Sequence, residues 1–250
     1  MIAAITNAAG SSGKTTTAVT LAALLAETGR TVLVVDADSQ ANATDWLGVT
    51  DATITLSEVL RNEARLQDTI VDTNTAGVQL VPANRSLEAT AIILNVERAG
   101  EQRLRKALKS VDADVILIDC PGNVSTLTLS ALVAADKVVT VAMPSRKEIE
   151  GVPELEGVVA DVADNYRPGL VVDAIVLCNV PAANAGQLHV DAVRLLTEAY
   201  GPLVSPPVRR AVKVPEAYGH SIPLPAHAPT AGVTDDYREV LAWLIDKGVF

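Results

Sequence analysis

The stretch that decides the predicted fold is Gly10-Ser11-Ser12-Gly13-Lys14-Thr15-Thr16. Residues 1–5 before it are apolar and typical of a strand, and residues 17–26 after it carry apolar side chains at helical spacing. A glycine-rich loop between a strand and a helix turns successive backbone N–H groups inward, and the start of the helix adds its positive dipole end. This arrangement predicts an anion site shaped for phosphate groups.

The loop also predicts roles for single side chains. Lys14 is expected to contact the β- and γ-phosphates of a nucleotide, and the Thr15 hydroxyl to bind Mg²⁺. The pattern G-x-x-x-x-G-K-[ST] is not met because position 8 is Ala8, whereas Gly10 and Gly13 fit the variant K-G-G-x-G-K-T. The alternative is an ordinary tight turn before a helix. The strand and the helix on either side favour the phosphate loop.

Composition limits the classes of protein to which the chain can belong. With 250 residues and 49% hydrophobic content it can form one α/β domain with a large core. The net charge of −10 repels DNA and anionic membranes as a whole, so any nucleic-acid contact requires a local basic patch. No apolar stretch reaches the roughly 18 residues of a membrane span, and the first residues lack the features of a signal peptide. We therefore expect a cytoplasmic protein.

Strand and helix patterns alternate along the rest of the chain. Apolar strands are predicted at residues 31–35, 78–81, 115–119, 137–143 and 170–178. Helices are predicted at residues 56–66, 87–96, 101–110, 148–162, 185–200 and 235–247. This alternation after a phosphate loop predicts an α/β fold with a doubly wound, mostly parallel sheet and helices on both faces, as a single domain over residues 1–250.

Two of the predicted strands end in carboxylates. Asp36 and Asp38 follow one strand, and Asp119 ends another before Cys120-Pro121. Because parallel strands end at the same edge of a sheet, these carboxylates are expected beside the phosphate loop. Asp36 and Asp38 could orient water or a metal ion, with a capped turn as the alternative. Asp119 has the position of a Walker B carboxylate, which holds Mg²⁺ directly or through water opposite Thr15.

Basic residues concentrate in two places. The predicted helix at residues 101–110 has four basic side chains, which we expect on a solvent-exposed outer face. Residues 205–213 contain Arg209, Arg210 and Lys213 with two prolines and no acidic residue. In so acidic a chain, the second segment is a candidate for a local basic patch.

The phosphate loop, residues 36–44 (Asp-Ala-Asp-Ser-Gln-Ala-Asn-Ala-Thr) and residues 118–121 (Ile-Asp-Cys-Pro) together resemble the ParA family of DNA-partition ATPases. The similarity extends nearly end to end. It implies a P-loop NTPase of the deviant Walker A type with ATP and Mg²⁺ as cofactors. Residues 10–16 would bind the nucleotide, Asp38 would organise the attacking water beside the metal, and Asn179 would contact adenine.

The resemblance also implies partners. ParA proteins of this type form a homodimer with ATP and bind non-specific double-stranded DNA, and a ParB-like centromere-binding protein stimulates hydrolysis. Arg209, Arg210 and Lys213 would contact DNA, and the protein would be cytoplasmic and associated with the nucleoid. The chain begins at the first strand, as in the small ParA type without an N-terminal helix-turn-helix domain. The family's signature lysine falls on Ala9, which predicts slow basal hydrolysis.

Two other functions remain open from the sequence. A MinD-like membrane-cycling ATPase requires a basic amphipathic tail, but residues 243–250 contain one lysine offset by one aspartate. A metabolic ATP-dependent synthetase of the same loop family requires a second substrate site, for which the sequence shows no evident cluster of residues. We therefore expect no membrane partner and favour the partition ATPase.

Overall fold

Seven strands form one sheet in the computed structural model, which describes residues 1–7, 13–182 and 187–250. In chain order the strands are β1 (Ile2–Thr6), β2 (Val32–Asp36), β3 (Val71–Asp72), β4 (Val78–Val81), β5 (Val115–Asp119), β6 (Lys137–Ala142) and β7 (Val172–Leu177). Their order across the sheet is β3-β4-β2-β5-β1-β6-β7, and every neighbouring pair except β3 with β4 is parallel. This topology confirms the predicted doubly wound, mostly parallel α/β fold.

The described part of the chain contains eleven α-helices. They are α1 (Lys14–Glu27), α2 (Asn42–Trp46), α3 (Leu56–Leu60), α4 (Ser86–Val96), α5 (Arg103–Leu108), α6 (Thr126–Ala134), α7 (Arg146–Asn165), α8 (Gln187–Tyr200), α9 (Lys213–Gly219), α10 (Leu224–His227) and α11 (Gly232–Asp246). None of the helices within the described ranges is long and apolar enough to cross a membrane.

Several local predictions were wrong. The helix predicted at residues 56–66 ends at Leu60, because Asn62 adopts a left-handed conformation with φ 60° and only a short 3-10 turn follows at Leu66–Asp68. Helix α6 was not predicted, since its side chains are buried on nearly every side and show no alternation of polar and apolar residues. The two-residue edge strand β3 is too short to produce a pattern.

Two apolar layers cover the two faces of the sheet. One buried cluster includes Leu87, Leu104 and Leu155, which lie on α4, α5 and α7. The other includes Leu21 of α1 and Tyr237 of α11. Both faces of the central strands are therefore buried, as their continuous apolar sequences require.

The carboxyl ends of the strands form the edge at which α1 begins. Gly13 precedes α1 with φ 90°, in the left-handed region that glycine adopts without strain. A Cβ atom there would lie 3.0 Å from the Cys178 thiol, so the close packing also requires glycine. Ala9, Gly10, Ser11 and Ser12, for which the sequence predicts roles in the phosphate loop, lie outside the described residues.

Candidate nucleotide site

A cleft of about 650 Å³ opens at the carboxyl edge of the sheet. Its walls include Lys14, Thr15, Thr16, Asp38 and Asn123. The structure therefore brings together the start of α1, the segment after β2 and the segment after β5. Five of the residues predicted for a nucleotide site, Gly13 to Thr16 and Asp38, share this one cleft.

Lys14 is held in the first turn of α1, and only 6% of its surface is exposed. No carboxylate lies within 4.0 Å of its ammonium group in the part of the chain that the structure describes. A buried cation without a close counter-ion is poorly solvated, and an anion that enters the cleft supplies the missing partner. Phosphate oxygens beside the N-terminus of a helix are anions of this kind.

Asp119 ends β5 and is completely buried. Neither of its carboxylate oxygens has a hydrogen-bond partner among the described residues. Burial, followed by the charge of Asp36, raises the pKa of Asp119 well above its usual range, and the nearby Thr15 hydroxyl and Lys14 ammonium oppose that rise. An unpaired buried carboxylate beside a threonine hydroxyl fits a divalent cation or its bound water, since both provide what the carboxylate lacks.

Asp36 lies next to Asp119 on the adjacent strand, because β2 and β5 are paired with Asp36 opposite Asp119. Its Oδ2 accepts hydrogen bonds from the Thr44 backbone N–H at 2.8 Å and the Thr44 hydroxyl at 2.7 Å. Its Oδ1 accepts a hydrogen bond from the Asp38 N–H at 3.1 Å. Burial raises the pKa of Asp36 to about 6. Asp36 thus caps the turn into α2, which is the alternative that the sequence left open.

Asp38 differs from Asp36 because it lines the cleft and is only partly buried. Its Oδ1 accepts a hydrogen bond from the Gln40 backbone N–H at 2.9 Å. This contact fixes the turn while the second carboxylate oxygen makes no protein hydrogen bond among the described residues. Of the two carboxylates after β2, Asp38 is therefore the one placed to act on a ligand or on water.

A second cavity of about 410 Å³ adjoins the start of α1, since Gly13 and Thr16 contribute to both. Asn179, directly after β7, lines this cavity with φ 53°. Its Oδ1 accepts a hydrogen bond from Arg210 Nε at 3.1 Å. A largely apolar cavity with one amide at its wall suits a heterocyclic base. The position predicted to contact adenine therefore lies next to the cleft that would hold the phosphates.

Comparison with known proteins identifies the family. A family model described as an AAA domain matches residues 1–172. The sporulation initiation inhibitor protein Soj of Bacillus subtilis is 32% identical over 246 residues, which cover 96% of this chain and 96% of Soj. The chromosome partitioning protein ParA of Myxococcus xanthus is 37% identical over 198 residues, which cover 77% of this chain and 70% of that protein.

The chain belongs to the ParA family of partition ATPases.

A solved structure with a ligand agrees with this fold. The cobyrinic acid a,c-diamide synthase of Mycobacterium smegmatis, solved with an ATP analogue and magnesium, superimposes with a TM-score of 0.85. It is 26% identical, and the match covers 99% of this chain and 95% of that chain. The fold of this chain is therefore shared with an enzyme whose structure contains an ATP analogue and magnesium.

The basic segment at residues 205–213 is less positive in this ParA-family chain than its sequence indicates. Both Arg209 Nε and Arg209 Nη2 donate to the buried carboxylate of Asp236 on α11, each at 2.6 Å. Lys213 pairs with Glu216 at 2.6 Å. Arg210 has no carboxylate within 4.0 Å among the described residues. Carboxylates from other segments thus offset two of the three cations, which a scan of residues 205–213 alone could not reveal.

Two aromatic residues at the cleft were missed by the sequence analysis. Trp46 of α2 and Tyr218 of α9 both line the cleft, with ring centroids 5.3 Å apart in an edge-to-face arrangement. Trp46 Nε1 donates to the Ile222 carbonyl at 2.9 Å. The segment that carries Asp38 is therefore tied to the C-terminal part of the ParA chain. The residues are 172 positions apart, so no local pattern could have indicated the contact.

A buried pair beside the phosphate loop was missed for the same reason. Asn7 Nδ2 donates to Glu148 Oε2 and to the Val141 carbonyl, each at 2.6 Å. Burial raises the pKa of Glu148, while Asn7 and the charge of Lys14 oppose that rise. The pair joins the end of β1 to the first turn of α7. It fixes the point from which the chain enters the phosphate loop.

Proposed function

We propose that this chain is an ATP-driven switch for plasmid or chromosome partition. In this proposal, ATP and Mg²⁺ bind in the cleft, the ATP-bound form is a homodimer that holds non-specific double-stranded DNA, and a ParB-like centromere-binding protein stimulates hydrolysis and release. The observation that carries the proposal is Asp119, a buried carboxylate without a partner, placed beside Thr15 and Lys14 in a ParA-family chain. The protein would work in the cytoplasm at the nucleoid.

Different residues of the cleft would bind the nucleotide, hold Mg²⁺ and orient water. Lys14 and the N–H groups of residues 10–16 would hold the phosphates, while Asn179 would contact adenine. Thr15 and Asp119 would hold Mg²⁺, which supplies positive charge at the phosphates when it is bound. Asp38 would orient the attacking water, because its carboxylate faces the cleft from a turn fixed by its bond to Gln40. These roles correspond to a Mg²⁺-dependent ATP hydrolase.

Ala9 predicts slow turnover. A lysine here would reach the partner's phosphates and offset the charge that develops during phosphoryl transfer, so Ala9→Lys should raise the hydrolysis rate or strengthen the ATP-dependent dimer. Steady-state turnover and light scattering with ATP would measure both effects. Ala8→Lys is the matched control, and we expect it to change neither. If Ala9→Lys also changed neither, another residue would have to supply the cation, or the mechanism would use none.

DNA binding can be tested at the basic segment. Charge reversal at Arg210 and Lys213 should weaken ATP-dependent binding to duplex DNA at least tenfold, because it removes two phosphate contacts and adds repulsion. Each lost contact should also reduce the salt dependence of binding. Arg209 is left intact because its loss would leave the buried Asp236 unpaired. A gel-shift titration at matched salt measures the effect.

The control for this experiment is Arg194→Glu, which reverses an exposed cation on α8. ATP affinity is measured in parallel, because Arg210 also lines the second cavity. A double variant that holds DNA as tightly as Arg194→Glu would contradict a role for this segment. Binding that needs no ATP would contradict the switch.

Simple assays distinguish the two alternative functions, a MinD-like ATPase and a synthetase, from the partition ATPase. A MinD-like cycle would appear as ATP-dependent sedimentation with anionic liposomes, but Val249 is buried and Phe250 packs against the core, so neither contributes to an exposed apolar face. A synthetase would release ADP only when a second substrate is present. The cobyrinic acid a,c-diamide synthase supports that possibility by fold, whereas the higher identity to Soj and ParA favours partition.

A further inference from the structure

The most basic part of this acidic chain is the connection from α4 to β5. Residues 97–110 contain five of the chain's 20 lysines and arginines but only two of its 30 acidic residues. The five are Arg98, Arg103, Arg105, Lys106 and Lys109. A surface with this local excess of positive charge can attract a polyanion even though the net charge of the whole chain is −10.

The structure gathers part of this charge around a cleft of about 500 Å³. Arg98, Arg103 and Lys106 line it, and so does Arg65, which precedes β3. The remaining described lining residues include no carboxylate and no aromatic ring. We call this feature the basic cleft.

Several close contacts hold the segment that carries the cations of the basic cleft. Arg103 pairs with Glu97 and donates to the Leu60 carbonyl at 2.6 Å, so its side chain is fixed to two neighbouring segments. Gly100 packs so tightly that a Cβ atom there would lie 2.2 Å from the Leu94 carbonyl oxygen. Helix α5 is anchored through Leu104, which is 1% exposed. These contacts fix the backbone from which the exposed cations project.

The exposed cations of the cleft are not neutralised equally. Arg65 makes two hydrogen bonds to Asp68, at 2.9 and 3.0 Å. Arg98 and Lys106 have no carboxylate within 4.0 Å among the described residues, and both are exposed. Lys109, the residue directly after the last residue of α5, is also exposed. Arg98 and Lys106 are therefore two uncompensated cations that line the same cleft.

We infer that the basic cleft, through Arg98 and Lys106, is a second contact site for the phosphate backbone of duplex DNA. The inference rests on the DNA binding in the proposed function and adds a surface to it. Contacts from unpaired lysine and arginine suit phosphates, and the lack of an aromatic ring leaves nothing on which an unpaired base could stack. The surface therefore fits a duplex backbone better than a free nucleotide or a single strand.

The basic cleft is separate from the segment of Arg209 and Arg210. Leu66 and Leu104 beside the cleft belong to the apolar layer on one face of the sheet. Val208 and Tyr237, next to the bond between Arg209 and Asp236, belong to the layer on the opposite face. Substitutions at the two surfaces should therefore act independently.

The test is the double variant Arg98→Gln and Lys106→Gln, which removes two charges without adding repulsion. For every protomer that contacts the duplex, the log–log dependence of DNA affinity on salt should become shallower by about 2. The control variant Arg30→Gln and Lys247→Gln removes the same types of charge at other sites, and its salt dependence should match the parent's. Both are measured by fluorescence anisotropy with a labelled duplex and ATP.

The outcomes separate this inference from the proposed function. If the parent binds no duplex in any nucleotide state, the proposed function fails and the inference falls with it. If the parent binds DNA but the two double variants have equal salt dependence, only the inference is overturned. A shallower slope in the cleft variant alone, with unchanged ATP turnover in the absence of DNA, supports it.

Discussion

Lys14→Ala is expected to abolish ATP binding, whereas Asp38→Ala is expected to bind ATP nearly as the parent does and to stop turnover. Lys14 is the buried cation at the start of α1 without a carboxylate within 4.0 Å in the described residues, so its charge is available to phosphates. Asp38 faces the same cleft with a carboxylate, which repels phosphate but can orient water. The two substitutions should therefore differ in kind.

Calorimetry with ATP and Mg²⁺ measures the first effect, and steady-state phosphate release measures the second. Lys247→Ala, which removes an exposed lysine at the end of α11, is the control for general loss of charge. If Lys14→Ala and Asp38→Ala both bound ATP like the parent, the cleft would not be the nucleotide site. If Asp38→Ala hydrolysed ATP at the parental rate, Asp38 would have no role in orienting water.

The sequence predicted that the candidate site residues lie at one edge of the sheet because the signals for this placement are local. A strand, a glycine loop and a helix follow one another within about 27 residues, and the carboxylates at the ends of β2 and β5 stand directly after apolar runs. The sequence could not predict which of the two carboxylates after β2 faces the cleft. Asp36 accepts two hydrogen bonds from Thr44, eight residues later, whereas Asp38 accepts none from Thr44 and lines the cleft.

Features that depend on distant partners were beyond sequence analysis. The bond between Asn7 and Glu148 joins residues 141 positions apart, and the bond between Arg209 and Asp236 joins residues 27 apart. A charge pattern within one segment contains no information about an acid supplied by another segment. The same limit applies to residues 101–110: the sequence predicts a solvent-exposed face, whereas the structure shows that Arg103 and Lys106 line a cleft together with Arg65.

Asp119→Asn should make the nucleotide-free protein more stable while it removes the Mg²⁺ response. Asp119 is fully buried, and its oxygens have no hydrogen-bond partner among the described residues. Asp36 is its register partner on the adjacent strand β2. The neutral amide removes the desolvation cost of an ionised carboxylate and its repulsion with Asp36, so the free energy of unfolding at neutral pH should rise by about 1 to 3 kcal/mol. Asp173→Asn is the matched control and should destabilise, because Asp173 accepts hydrogen bonds from Lys137 Nζ at 2.8 Å and the Val138 N–H at 2.9 Å.

The pH dependence of the same experiment has a defined sign. Burial raises the pKa values of Asp36 and Asp119 in the folded state, so the folded protein holds more protons than the unfolded chain between about pH 4 and pH 6. The stability of the nucleotide-free parent should therefore fall as the pH rises through that window, and Asp119→Asn should reduce the fall. Urea unfolding at several pH values, with and without Mg²⁺ and ATP, measures both effects. An Asp119→Asn variant that is less stable than the parent, or that Mg²⁺ and ATP stabilise as strongly, would show that Asp119 is a structural residue and not the carboxylate of the metal site.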